Sequence, residues 1–327
     1  MKNTKKQISP YAELSAKQLI VLAEQGDAEA QFMLAGRYKK GKGVKKDLAK
    51  TVEWYTKAAE QGHAGAQNNL GVCYNHGRGV EKDYVKAVEW YTKAAEQGSM
   101  GAQWNLGACY YYGTGVEQDY TKALEWYFKA AAQGDSWSQS DIGICYLNGY
   151  GIKKDPVKGV EWIRKAAKQG FATAQFNLAR CYKDGEGVEQ DDKQAVKWYT
   201  KAALQGNMWA QNNLGICYEY GEGVRKSYRK AVEWYTKAAE QGSEKAQYHL
   251  GFCYKKGLGV VKDFRQAVKW YLKAANQGNP SAQNNLAICY ERGEGVRKSY
   301  KKAIEWYTKA AAQGDEEAKN KLSCLSR

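Results

Sequence analysis

The sequence predicts an all-α protein: an α/α superhelical solenoid of eight 36-residue helix-turn-helix repeats, with half-repeat caps at both ends. Three observations carry this expectation. The pair Gln-Gly recurs at Gln25-Gly26, Gln61-Gly62, Gln97-Gly98, Gln133-Gly134, Gln169-Gly170, Gln205-Gly206, Gln241-Gly242, Gln277-Gly278 and Gln313-Gly314, a constant step of 36 residues with no insertion. Each step holds two stretches with small or apolar residues at helical spacing, parted by glycines. The 327 residues are 43% apolar and 26% charged, with only three prolines, which is an ordered composition and not a disordered one. A fixed period of this size means stacked supersecondary units, none able to bury its apolar face alone.

In chain order, residues 1–10 are expected to form an N-terminal tail and residues 11–26 a capping helix, the second half of a preceding unit. The eight units run 27–62, 63–98, 99–134, 135–170, 171–206, 207–242, 243–278 and 279–314. Residues 315–327 read as the first half of a following unit. Half-units at both ends suit the caps that a stacked array requires.

The unit 63–98 stands for the rest. Its first helix, AGAQNNLGVCYNH, carries Ala66, Leu70, Cys73 and Tyr74 on one stripe. Gly77 and Gly79 break it, because glycine takes backbone angles that other residues resist. Asp83 then offers an N-cap. The slot is filled by Asp47, Asp119, Asp155, Asp191 and Asp263 in five other units, and by Ser227 and Ser299 in two. The second helix places Tyr84, Ala87, Val88, Tyr91, Ala94 and Ala95 on one side, and Gly98 ends it. Lys93 in its last turn suits the helix dipole and recurs at Lys57, Lys129, Lys165, Lys201, Lys237, Lys273 and Lys309. Small residues such as Gly71 and Ala87 let helices approach, while Leu70, Tyr74, Trp90 and Tyr91 fill the remaining space. Helices packed about 8 to 10 Å apart are expected to give an elongated, curved, right-handed rod.

These residues resemble the Sel-1-like repeat family, a relative of the tetratricopeptide repeat. The stretch AQNNLGVCYNHGRGVEKDYVKAVEWYTKAAEQG (Ala66 to Gly98) and its siblings carry the resemblance over nearly the whole chain. It implies an α/α solenoid and an adaptor role in protein–protein interaction, without naming a partner. One branch of that family has a disulfide within each repeat and is linked to β-lactamase or penicillin binding. This chain departs from that branch, with one cysteine per unit (Cys73, Cys109, Cys145, Cys181, Cys217, Cys253, Cys289) and an out-of-register Cys324. The seven read as small buried core residues, consistent with a reducing compartment.

Catalytic and metal chemistry find little support. Gly-x-Gly-Val repeated in unit after unit is a turn, since a phosphate cradle needs a preceding strand and further glycines. Ser-x-x-Lys occurs at Ser227–Lys230 and Ser299–Lys302, but in the N-cap slot and without the accompanying motifs of penicillin-binding enzymes. The three histidines, His63, His76 and His249, have no metal-ligand spacing, and the cysteines form no Cys-x-x-Cys pair. No cofactor, metal or catalytic residue is therefore expected. The N-terminal stretch has no apolar core of signal-peptide length, and no apolar run approaches the roughly 18–20 residues of a membrane helix. The expectation is a cytoplasmic monomer without a membrane span.

Function is expected where the units differ. Five first-helix sites vary widely, for example Gly101, Trp104, Ala108, Tyr111 and Tyr112, and their spacing defines one helical face. In a solenoid of helix pairs this face lines the concave groove. In the tetratricopeptide repeats that the chain resembles, the equivalent face grips peptides. Eight tryptophans occupy a regular second-helix slot (Trp54, Trp90, Trp126, Trp162, Trp198, Trp234, Trp270, Trp306) and read as core, whereas Trp104, Trp137 and Trp209 do not. The candidate groove residues are Asn68, Trp104, Tyr111, Tyr112, Trp137, Phe176, Trp209, Asn212, Tyr220, Tyr248 and Asn284. Large aromatics make natural hot spots. The alternative is that they pack on neighbouring first helices, and that the asparagines are plain polar surface.

The leading expectation is a non-catalytic adaptor or scaffold binding a protein or peptide segment. A net charge of +15 keeps a nucleic-acid binder as the alternative. The acids Glu29, Asp184, Glu219 and Glu291 on the groove face, and the absence of a fixed base-reading pair, weigh against it. A β-lactamase-like hydrolase rests on family association and on Ser227 and Lys230 alone.

Overall fold

The computed structural model describes residues 10–325, in two compact units of helix pairs. In the first, a 3-10 turn (Pro10–Ala12) precedes α1 (Ala16–Glu24), α2 (Ala28–Lys40), α3 (Leu48–Glu60), α4 (Ala64–His76), α5 (Tyr84–Glu96), α6 (Met100–Tyr112), α7 (Tyr120–Ala132), α8 (Ser136–Asn148) and α9 (Pro156–Lys168). The division falls in the last turn of α9, between Ala166 and Ala167. The second unit contains α10 (Ala172–Asp184), α11 (Asp192–Leu204), α12 (Met208–Tyr220), α13 (Tyr228–Glu240), α14 (Glu244–Lys256), α15 (Phe264–Asn276), α16 (Pro280–Arg292), α17 (Tyr300–Ala312) and α18 (Glu316–Leu325). The protein is all-α, and its paired helices form the repeats of an α/α solenoid. The tail expected over residues 1–10 lies outside the described residues except for Pro10. The helix expected across 11–26 occupies Ala16–Glu24, because Ser15 and Gln18 form a capping box that fixes its start.

Local chemistry sets each boundary. The α4 helix ends on Gly77 at φ 65°, whose N–H donates to the Cys73 carbonyl while Arg78 donates to the same oxygen. Gly79, two residues on, has φ 77° and a second constraint: a Cβ there would overlap the Leu48 carbonyl oxygen at the start of α3. The loop of one repeat therefore rests on the backbone of the preceding one. Asp83 caps α5 by accepting from the Lys86 N–H at 3.0 Å. Ser227 and Ser299 do the same for α13 and α17, accepting from Lys230 and Lys302 at 3.4 Å. Their hydroxyls thus serve the helix backbone, and the Ser-x-x-Lys pairs are caps.

Each pair closes around small-against-large contacts. Ala66, Leu70 and Cys73 of α4 are buried, as are Ala87, Tyr91 and Ala94 of α5. Gly71 lies directly under the Tyr91 ring, where an added Cβ would stand 2.6 Å from the ring carbon Cε1. The seven in-register cysteines are buried free thiols and Cys324 is exposed. Burial pushes the thiols up, to about 11 at Cys109 and about 12 at Cys145, which keeps them protonated and inert.

Two recurring side chains do more than the sequence suggests. Gln67 is buried; its Nε2 donates to the Ala59 carbonyl at 3.1 Å and its Oε1 accepts from Gln97 at 2.7 Å. The same link joins Gln31 to Gln61 and Gln103 to Gln133 in the first unit. In the second it joins Gln175 to Gln205, Gln211 to Gln241, Gln247 to Gln277 and Gln283 to Gln313. The glutamine of the Gln-Gly marker is thus a bond between the two helices of a repeat, and its partner reaches back to the repeat before. The recurring lysine likewise lies over the tryptophan three residues earlier: Lys93 Nζ is 4.2 Å from the Trp90 ring centroid and Lys129 is 3.8 Å from that of Trp126. Of the eight slot tryptophans, Trp54, Trp198 and Trp270 are buried and the others half-buried. The core reading holds for Trp54, Trp198 and Trp270; the other five are corrected to half-buried rings, each roofed by its own lysine.

Candidate functional site

The first-helix face that varies between repeats carries the candidate site. In the first unit, α6 places Trp104, Ala108 and Tyr112 four residues apart on one stripe. The α8 helix places Trp137 and Asp141 on its matching face. Trp104 is half-buried; its ring centroid is 5.3 Å from that of Trp137, and its indole N–H donates to Asp141 Oδ2 at 2.9 Å. Trp137 is 50% exposed and Tyr112 72%. Tyr111 is half-buried at the centre of a tyrosine cluster, with Tyr112, Tyr120 and Tyr150 at 4.8, 5.2 and 6.0 Å. Asn68 is half-buried and accepts from Asn105 at 2.9 Å. A cleft of about 400 Å³ runs between Trp104, Asn105 and Tyr112 on one side and His76 and Tyr84 on the other.

In the second unit, Phe176 is half-buried between the rings of Tyr199 and Trp209, at 5.9 and 6.4 Å. Trp209 is 60% exposed and Tyr220 61%. Tyr248 is half-buried against His249 and Tyr271. Asn212 and Asn284 depart from the expected groove position: both are buried, at 5% and 3% exposure. The Asn212 amide donates to Asn213 at 3.3 Å and that of Asn284 to Glu317 at 2.8 Å. The Asn284 partner lies on α18, whereas that of Asn212 is its own neighbour in α12.

Two of the acids expected on the groove face are also committed internally. The Tyr235 hydroxyl donates to Glu219 Oε2 at 2.6 Å, and that of Tyr307 to Glu291 Oε2 at 2.6 Å. The Tyr307 bond holds the Glu291 carboxyl below its usual range, helped by Lys321. His249 stacks on the Tyr235 ring at 4.8 Å. Burial holds its pKa down, against the pull of Glu219.

Sequence reasoning missed Asp141, and took His249 up only as a possible metal ligand. Both occupy the slot held by Asn69, Asn105, Asn177, Asn213 and Asn285 in other repeats. That slot lies beside the varying face and reads as part of the constant frame, which hides both departures. Burial, reinforced by Asp135, pushes the Asp141 carboxyl up to about 6 against the pull of the Trp104 N–H. Lys183, on the varying face of the fifth repeat, bridges Asp192 and Glu222 at 2.9 Å each. Among the described residues no group of three or more His, Cys, Asp or Glu could hold a metal ion, and no helix is long and apolar enough to cross a membrane.

A solved structure of c5321, a protective antigen of uropathogenic Escherichia coli with an SLR fold, matches at TM-score 0.80 and 40% identity, over 95% of this chain and 67% of that one. A Sel1 repeat protein from Oxalobacter formigenes matches at TM-score 0.69 and 37% identity, over 94% of this chain and 89% of that one. The immunity protein Pa5087 of Pseudomonas aeruginosa aligns at 25% identity over 67% of this chain and 82% of that one, with a TM-score of 0.46. No curated protein sequence matches the chain. The Sel1 repeat model matches eight times, at residues 28–63, 64–99, 101–135, 138–171, 172–207, 210–243, 244–279 and 280–315, and the chain belongs to the Sel1 repeat family.

Proposed function

We propose that the protein is a non-catalytic adaptor that binds a protein or peptide segment on the varying face of its first helices. One observation carries the reading. Where the repeats differ, they expose large aromatics: Tyr112, Trp137, Trp209 and Tyr220 are each at least half exposed. Such rings offer much contact area for few lost rotamers. The recurring aromatics Tyr91, Tyr127, Tyr235, Tyr271 and Tyr307 are instead buried in the helix pairs. Trp104, Tyr111 and Phe176 pack against the exposed rings of Trp137, Tyr112 and Trp209, and Tyr248 and Asn68 belong to the same face. The partner is a protein, and the adaptor works as a monomer in the cytoplasm. A basic nucleic-acid binder remains the second reading, favoured by the net charge of +15.

The test is affinity capture from nuclease-treated lysate, comparing wild type with a Trp137→Ala/Trp209→Ala variant whose helicity is checked by circular dichroism. A protein held by wild type and lost by the folded variant is the expected result. Capture unchanged by the variant overturns the proposed face. Capture abolished by nuclease moves the protein to nucleic acid, and binding would then fall steeply with salt.

A further inference from the structure

Asp141 is a carboxylate set among aromatic rings without a cation. Its neighbours on α6 and α8 are Trp104, Tyr112 and Trp137. Trp137 stands where the two preceding repeats have Gly65 and Gly101, and Asp141 stands where they have Asn69 and Asn105. Both departures fall in one repeat and on one helical face. The Trp104 N–H holds Asp141 Oδ2 at 2.9 Å. Among the described residues the other carboxylate oxygen accepts no hydrogen bond, and no ion pair reaches Asp141. The titratable groups that act on it or feel it are Asp135, Tyr112, Tyr127 and Cys145, none of them cationic. Lys82, which lines the adjoining cleft, holds its ammonium over the Tyr84 ring at 4.5 Å.

We propose that this face of α6 and α8 takes an arginine side chain of the bound segment, with its guanidinium laid on the exposed Trp137 ring and donating to the unpaired oxygen of Asp141. The inference rests on the segment-binding reading above and adds the chemistry of the partner. A guanidinium is planar and weakly hydrated, stacks on indole faces, and matches a carboxylate with two N–H donors. An ammonium is a compact, strongly hydrated charge and gains less from the ring. The Trp104 N–H fixes the orientation of the carboxylate before the ligand arrives, which lowers the ordering cost of binding. The burial that raises the Asp141 carboxyl to about 6 leaves it ionised at pH 7.5 and lacking a counter-charge, which an incoming cation supplies.

The test follows the Trp104 indole N–H by nitrogen-15 NMR, the peak being assigned with a Trp104→Phe variant. The probes are the capped tripeptides Ac-Gly-Arg-Gly-NH2, Ac-Gly-Lys-Gly-NH2 and Ac-Gly-Glu-Gly-NH2 at pH 7.5. The arginine probe is expected to shift the peak saturably, the lysine probe about threefold more weakly, and the glutamate probe not at all. Asp141→Asn, folded by circular dichroism, is expected to weaken arginine binding about fivefold or more. Equal responses to arginine and glutamate, or none, overturn the arginine site. A random dodecamer peptide library selected on wild type and on Trp137→Ala separates this failure from that of the parent reading. Peptides lost with Trp137→Ala and enriched in arginine support both. Peptides lost with Trp137→Ala but not enriched in arginine overturn the arginine site and leave segment binding standing. No Trp137-dependent peptide and no Trp104 shift overturn both.

Discussion

Gly71 and Gly79, eight residues apart, meet an added methyl group in different ways. At Gly71 the obstacle is the Tyr91 ring, and the same slot holds Ala35, Ala179 and Ala287 in other repeats, all fully buried. The ring can shift, so Gly71→Ala should cost about 1 kcal/mol or less. At Gly79 the obstacle is the Leu48 carbonyl, and the backbone is left-handed at φ 77°. Neither yields cheaply, and Gly79→Ala should cost about 2–4 kcal/mol. Urea unfolding of the two variants checks the ranking, and equal midpoints would refute the account of the loop. Asp141 gives a second residue-scale prediction. Its carboxyl is raised to about 6 in the folded protein, above its value in the unfolded chain. The folded state therefore binds that proton more tightly, and this residue's contribution to stability falls as pH rises from about 4 to about 6, then stays low. Asp141→Asn should remove that component and raise the thermal midpoint at pH 7.5 but not at pH 4. The N-cap acids Asp83 and Asp119 are held low by backbone N–H donors and act in the opposite sense, so the readout is the difference between variant and wild type across pH.

At the scale of the element, the glutamine pairs join helices that apolar contact alone would leave free to slide. Gln67 satisfies the Ala59 carbonyl and the Gln97 amide together from a buried position. Gln67→Leu would remove both bonds and should cost about 1 kcal/mol, the net value of such a link, since the Ala59 carbonyl keeps the Gly62 N–H and the exposed Gln97 amide keeps the Lys93 carbonyl. Adding Gln97→Leu should cost less than an independent second loss, since the partner is already gone; a double-mutant cycle in urea reads this coupling, and strict additivity would show that the pair does not act as a unit. The same elements show what the sequence could and could not disclose. Helix pairs, loop glycines and caps were legible because each follows from spacing and backbone chemistry within one repeat. The role of Gln67 was not, because its partners lie 8 and 30 residues away, and a regular glutamine looks like a marker. The variable face was legible as a pattern, and Trp137, Trp209, Tyr112 and Tyr220 are exposed on it. Asn212 and Asn284 share that register yet are buried, and the partner of Asn284 lies on α18, which no single repeat encodes.

At the scale of the whole molecule, stability in a stack of repeats is a sum of local terms and nearest-neighbour interfaces. The end of the second unit offers a direct test. Ala318 of α18 is fully buried, and Leu322 packs with it against a cluster that includes Ala287, Ile288, Tyr307 and Ala310. Asn284 donates to Glu317, and Lys321 reaches Glu291 at 3.4 Å. Removing residues 315–327 would thus strip an apolar cover and two polar anchors from α16 and α17 alone. Hydrogen exchange should rise in α16 and α17 by a factor of about ten or more, corresponding to about 1.4 kcal/mol or more of lost local stability. Amides of α2 to α5 in the first unit should keep their protection, because none of the stripped contacts involves them. A loss of protection spread evenly over all helices would mean that the repeats unfold as one cooperative body. The nearest-neighbour account, and the view of α18 as a local cap, would then fail together.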